Sequence, residues 1–469
     1  MKELSLLARL EELSKSGQIP LHMPGHKRNE ALAEYLHTLG ARLDITEITG
    51  FDDLHDAQGI LRAAQERAAA LWGVRKSWFL INGSTGGILA GIRALAPAGS
   101  RVLVARACHK SVFHALELCR LRPAFLQPQP VPGWSFAGPV SPESLAQGLA
   151  RFPDAKLVIL TSPTYEGLLS DLPALVKLAH DAGVPVLVDE AHGAHLGLYG
   201  AFPAGAVAAG ADLVIQSLHK TLPSLTQTAI LHCAGPLADP SAVDRQLAVF
   251  ETSSPSYLLM ASLDGCVDWL TEQGEKALPA WRERLERFRR ETGPLHSLRL
   301  LGDELGLPFA RDPGKIVIGS GPLTGRELKD RLREEYNLEL EMAGADWALA
   351  MTGPGDTDET LGALARALRA IDETLPAVPP PAPLPPLPVP EAVLPPWQAM
   401  ERPAAPMPLE QAAGRISAGY LWAYPPGIPL ILPGERVDEA FLQGCRALTA
   451  RGVVLHSGEE NGALRILAE

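Results

Sequence analysis

The sequence predicts an α/β protein with a large, mostly parallel sheet domain, a smaller α+β domain, and a small αβ module behind a proline-rich linker. Three observations predict it. Short β-branched runs alternate with helix-patterned ones; the rhythm changes near residue 275; and residues 376–408 hold 14 of the chain's 42 prolines.

In chain order, Met1 to Leu13 places apolar residues at helical spacing but interrupts them with Glu and Arg, which reads as an amphipathic helix and not a signal peptide. Trp78-Phe-Leu-Ile81 reads as a strand that turns through Asn82-Gly-Ser-Thr-Gly-Gly87 into a helix over Ile88 to Leu95. Arg101 to Ala105, Lys156 to Thr161 and Thr228 to Leu231 are further strands, and Leu172 to Ala182 a helix. Val184 to Val188 and Leu213 to Ile215 read as buried parallel strands, so helices cover both faces of the sheet. Beyond residue 275, a charged helix (Trp281 to Thr292) precedes the strand Lys315 to Gly319, the helix Gly325 to Tyr336 and the strand Trp347 to Met351. The proline-rich stretch, with Pro379-Pro-Pro381 and Pro385-Pro386, lacks N–H donors and reads as an extended spacer; sequence resuming beyond it favours a linker over an SH3-type ligand. Gly427 to Leu432, a helix from Val437 to Ala450 and Gly452 to Leu455 close the chain. The expected domains are an N-terminal helix (1–20), a large domain (21–274), a small domain (275–375), the linker (376–408) and a C-terminal domain (409–469), with no internal repeat.

With 46% apolar and 20% charged residues, 469 residues make a globular protein. The longest apolar runs are strand-length, well below the ~20 residues that span a bilayer. A net charge of −12 disfavours nucleic acid as a partner and agrees with a cationic substrate. Five cysteines, Cys108, Cys119, Cys233, Cys266 and Cys445, show no CxxC spacing and an odd total, so neither a disulfide framework nor a zinc ribbon is implied. This composition fits a cytoplasmic enzyme.

Two strands end in residues with chemical potential. Ser217-Leu-His-Lys220 places a lysine after one apolar run, and Asp189-Glu-Ala-His192 places an acid after another. Carboxyl ends of strands are where open α/β sheets put their ligands. A lysine that can form a Schiff base and an acid that keeps a pyridine nitrogen protonated are what a pyridoxal-phosphate (PLP) enzyme needs. The Gly-rich turn at 82–87 adds bare N–H groups at a helix start and the Ser84 and Thr85 hydroxyls, a ready phosphate site. No Gly-x-x-x-x-Gly-Lys-Ser/Thr loop accompanies the Asp-Glu-Ala-His string, so a helicase reading drops out. His192 and His195 beside Glu190 suggest a metal site, but a third ligand is missing; Cys108 beside His109 suggests a nucleophile, but a buried structural cysteine suffices.

Leu21-His-Met-Pro-Gly-His-Lys-Arg28, Asp52-Asp-Leu-His55, Asn82-Gly-Ser-Thr85, Cys108-His-Lys-Ser111, Asp189 to His195, Ser217 to Thr221 and Thr252-Ser-Ser-Pro-Ser-Tyr257 resemble, in order, the motifs of the Orn/Lys/Arg decarboxylase family. Ala423-Tyr-Pro-Pro-Gly-Ile-Pro429 resembles its C-terminal domain. The resemblance implies a PLP fold type I large domain with a mostly parallel seven-stranded sheet, in the short form of the family without an N-terminal receiver-like domain. It implies Lys220 as Schiff-base lysine, Asp189 at the pyridine nitrogen, His109 stacked on the ring, and His192 near both. It assigns the phosphate to Gly83, Ser84, Thr85, Ser217 and His219, and in a homodimer or higher homo-oligomer brings Thr252, Ser253 and Ser254 to the neighbouring site.

The expected activity is PLP-dependent decarboxylation of arginine, lysine or ornithine. An aminotransferase or aldolase on the same fold is the alternative, since fold does not fix the reaction; Arg311 and Arg326 are candidates for the carboxylate grip an aminotransferase needs. A PLP-binding regulator is disfavoured by intact Lys220, Asp189 and His109. For a distal substrate cation, Glu166, Asp52 and Asp53 are candidate partners, though each acid could instead cap a helix or pair on the surface.

Overall fold

The computed structural model describes every residue except 1–4, 25, 30–33, 303–306, 377–381, 385–386, 425–427 and 469. Seven strands, β1 (Lys76–Leu80), β2 (Arg101–Ala105), β3 (Arg122–Leu126), β4 (Val158–Thr161), β5 (Val186–Asp189), β6 (Leu213–Gln216) and β7 (Ala229–Cys233), make one mixed sheet in the order β1-β7-β6-β5-β4-β2-β3. β5 and β6 run parallel, as β2 does with β3 and β4, whereas β7 is antiparallel to both β6 and β1. Every residue of β5, β6 and β7 is buried, the pattern of strands covered on both faces. The helices that matter for the site are α1 (Gly83–Leu95), α2 (Lys110–Leu118), α3 (Leu218–Thr221), α4 (Pro240–Phe250) and α5 (Tyr257–Thr292).

The chain divides into two compact units, one of residues up to Leu95 with Pro185–Pro279, the other of Ala96–Val184 with Ala280–Glu469. In the first, α1 lies flush on the strands because glycines face them. A Cβ at Gly87 would stand 2.5 Å from Leu80, and one at Gly91 2.9 Å from Leu187. The helix Leu6–Lys15, capped by the Ser5 hydroxyl, buries Leu6 and Leu10 against Ile45, Phe51, Leu61, Tyr257 and Met260.

A row of polar side chains crosses the sheet of this unit. Ser77 Oγ lies 2.8 Å from His232 Nδ1, His232 Nε2 3.3 Å from Gln216 Oε1, and Gln216 Nε2 donates to Glu190 Oε2 at 2.8 Å. All four residues are buried. Their mutual hydrogen bonds offset the cost of placing polar groups in an apolar sheet.

The second unit carries an antiparallel sheet ordered Arg299–Leu300, Lys315–Gly319, Trp347–Met351 and Met342–Ala343, with the helices Gly325–Tyr336 and Asp358–Thr374. The helix expected to begin at Trp281 is the last third of α5, which runs for 36 residues through Pro279. The proline removes one N–H donor without ending the helix. The expected spacer is also partly structured: Pro396–Met400 is helical, Ala404–Pro408 pairs with Ala463–Leu467, and the Val393 and Leu394 N–H groups donate to Gly434 O. Prolines are tolerated in that strand because its sheet has only two strands, leaving one edge that needs no donors. Pro379–Pro381, Pro385–Pro386, Gly25 of the first family-like motif and residues 425–427 of the last lie outside the described residues. The C-terminal core gathers Leu421, Ile431, Phe441, Leu442, Cys445 and Leu464.

Candidate active site

Lys220 rides on α3, four residues past β6, and its Nζ lies 3.1 Å from His192 Nε2. Asp189 is the last residue of β5 and is only 4% exposed; its Oδ1 accepts the Ala191 N–H at 3.1 Å. Burial pushes the Asp189 carboxyl up, while the Lys220 charge pulls it back down, so the two groups face one field. Parallel pairing of β5 with β6 brings their carboxyl ends, and hence these residues, side by side.

The residues expected at the phosphate lie in the same unit. Gly83, at φ +69°, starts α1 in a conformation that favours glycine. Ser84 in the first helical turn places its Oγ 2.7 Å from that of Ser217, which is fully buried behind β6. Thr85 is exposed at the same helix start. His219 donates from Nδ1 to Thr228 O at 2.8 Å, leaving Nε2 as its acceptor; burial lowers its pKa and keeps it neutral. Thr252, Ser253 and Ser254 follow α4 as an exposed segment in which Thr252 Oγ1 accepts the Ser254 N–H.

The remaining candidates come from other segments of the chain. His109, in the second unit, caps α2, its Nδ1 lying 2.8 Å from Ser111 Oγ. Cys108 is buried and accepts a hydrogen bond from the Thr161 hydroxyl, in keeping with a structural cysteine. Glu166, in the second unit, is 6% exposed, and burial pushes its carboxyl up to about 7 despite Thr164 and Lys315. Asp52 is a capping group: its Oδ2 takes the N–H groups of Gly59 (2.7 Å) and Leu61 (3.1 Å) at the start of the helix Ile60–Trp72. Asp53 takes the His55 N–H. Arg326 is an exposed partner of Asp330, and the Arg311 backbone bridges Leu168. His195 is fully buried with its ring edge against Phe202, and among the described residues no cluster of three or more His, Cys, Asp and Glu could hold a metal ion.

Sequence reading missed Gln216, His232 and Glu251. The signal for the first two was a polar residue closing or interrupting a buried apolar run.

A lysine amine beside an imidazole, a buried carboxylate on the next strand end, and paired hydroxyls at a helix N-terminus are the donor set that PLP requires. The model of the Orn/Lys/Arg decarboxylase major domain matches residues 5–299, and that of the family's C-terminal domain residues 388–450. The chain belongs to the Orn/Lys/Arg decarboxylase family. It is 32% identical to an arginine decarboxylase of Bacillus anthracis over 492 aligned residues, covering 100% of this chain and 98% of the relative. It is also 32% identical to an arginine decarboxylase of Bacillus subtilis, covering 93% and 92%. The fold matches that of the Francisella novicida lysine decarboxylase LdcF with a TM-score of 0.83 at 19% identity, over 98% of this chain and 80% of that one. Family membership makes the chain a decarboxylase of a basic amino acid and sets aside the aminotransferase and regulator alternatives.

Proposed function

We propose that this decarboxylase acts on arginine ahead of lysine and ornithine, with PLP held by Lys220. The observation that carries the reading is Lys220 Nζ at 3.1 Å from His192 Nε2, with buried Asp189 in the same electrostatic field. The order of substrates rests on the arginine decarboxylases to which the whole chain is similar.

Bound PLP supplies an electron-accepting ring for the electron pair left when the carboxylate departs. Asp189 holds a proton at the ring nitrogen, a buried acid whose ionised form a cationic partner favours. His192 and Lys220 pass a proton between Nε2 and Nζ and return one to the carbon that has lost its carboxylate. Gly83, Ser84, Thr85, Ser217 and His219 are assigned to the phosphate, with the backbone N–H groups and hydroxyls at the start of α1 as its donors. His109 is assigned to the ring face, and Thr252, Ser253 and Ser254 to the neighbouring site of a homodimer. Glu166 is assigned to the substrate's distal cation: a buried carboxyl near neutrality ionises readily once a cation arrives. Among the described residues no helix is long and apolar enough to cross a membrane, which is compatible with a cytoplasmic place for the enzyme.

The test is to offer the purified protein, with PLP, arginine, lysine, ornithine and several neutral amino acids. Carbon dioxide and the matching amine should appear fastest from arginine. Release of a keto acid without carbon dioxide would overturn the reading.

A further inference from the structure

Glu251 ends α4 and is 7% exposed, yet none of the steps above uses it. Its Oε2 accepts the N–H groups of Ile81 (3.0 Å) and Asn82 (3.1 Å), the two residues immediately before Gly83. Asn82 returns the contact, its side-chain amide donating to Phe250 O at 3.0 Å, and Gln227 donates to Ile81 O at 2.6 Å. The turn between β1 and α1 is therefore tied on both sides at the point where the chain enters the phosphate cradle. The other oxygen of Glu251, Oε1, is buried with no hydrogen-bond partner among the described residues, and it occupies the space a Cβ at Gly86 would take. A carboxylate packed this tightly against the first turn of α1 fixes where that turn can lie.

We propose that Glu251 is a positioning residue for the cofactor phosphate: by holding the Ile81 and Asn82 N–H groups, it sets the orientation in which Gly83, Ser84 and Thr85 present their donors. The proposal rests on the phosphate reading of that turn. It predicts a defect confined to the phosphate end of the cofactor, because Lys220 and Asp189 belong to other strand ends.

The full-length chain, stripped of cofactor, is titrated with PLP and with pyridoxal, which lacks the phosphate, and binding is followed by visible absorbance. Glu251→Ala leaves two backbone donors unpaired, that of Ile81 buried and that of Asn82 partly so, and should weaken PLP about tenfold or more, while pyridoxal stays within about twofold of wild type. Glu251→Gln retains an acceptor oxygen and should keep PLP within about threefold of wild type. Gly86→Ala, which pushes on the same carboxylate, should also weaken PLP, and adding it to Glu251→Ala should cost no more than Glu251→Ala alone, since the two act through one contact. If Glu251→Ala fails to fold, the Gln and Gly86 variants carry the test. Equal losses for PLP and pyridoxal, or additive losses in the double variant, overturn the proposal. Wild-type protein that binds both compounds alike would instead remove the phosphate reading, and the proposal with it.

Discussion

Lys220 and Asp189 owe their chemistry to opposite treatments of charge. The lysine has an imidazole nitrogen within hydrogen-bonding reach, whereas the acid is buried and depends on that lysine to offset the cost of its ionised form. Lys220→Ala should therefore lose the visible absorbance of the lysine-bound cofactor and nearly all turnover, while PLP is retained weakly through the phosphate contacts; absorption spectra and borohydride trapping check both. Asp189→Asn keeps the shape but not the charge, and should lower kcat by orders of magnitude with cofactor still bound, measurable as kcat against PLP occupancy. These two residues drew notice in the sequence because Asp189 closes one apolar run and Lys220 comes four residues after another, and Ser84 because it lies in a Gly-rich turn. Glu251 was not: its partners Ile81 and Asn82 lie 170 and 169 positions away, and no local pattern announces a contact of that range.

At the scale of elements, α1 owes its position to what its inner face lacks. Gly91 sits where a Cβ would come 2.9 Å from Leu187 and 3.3 Å from Leu213, so the helix rests on β5 and β6 at backbone distance. Gly91→Val should destabilise the protein by about 1–3 kcal/mol through overpacking, seen as a lower midpoint in thermal or urea unfolding. The strands β2, β5, β6 and β7 were legible within a residue or two, since short buried β-branched runs have few other uses. α5 was less so. Its composition turns from apolar to charged past residue 275, which resembles a new element, yet one helix carries both halves. The proline-rich stretch misled for a related reason: missing N–H groups forbid a central strand but not an edge strand.

Across the whole molecule, long-range polar contacts do what local pattern cannot. Within the second unit, Arg106, four residues from the α2 helix, donates to Pro429 O (2.7 Å), Leu430 O (3.0 Å) and Glu435 (3.2 Å), and both charged side chains are buried. Glu435→Ala strands that guanidinium and should cost about 3–5 kcal/mol, detectable as early thermal unfolding and faster proteolysis of the C-terminal module. The buried row from Ser77 to Glu190 spans still more of the fold, and its orientation has a consequence. Burial pushes the Glu190 carboxyl up to about 8, so between its ordinary value of 4.5 and that point the folded protein keeps a proton that the unfolded chain releases. Stability should therefore decline as pH rises through that window, and Glu190→Gln should flatten the decline in unfolding midpoints. His232 stays uncharged throughout, its pKa held near about 3 by burial, so it can respond only by moving its single ring proton from one nitrogen to the other. With Glu190 ionised, every bond in the row points towards it; a proton placed on Oε2 and donated to the Gln216 amide oxygen reverses Gln216 and His232 in turn. The sheet thus holds a single line of polarity with two settings, and the ring nitrogens of His232, read by 15N chemical shift, should change places as the solution crosses the pKa of a carboxylate on another strand.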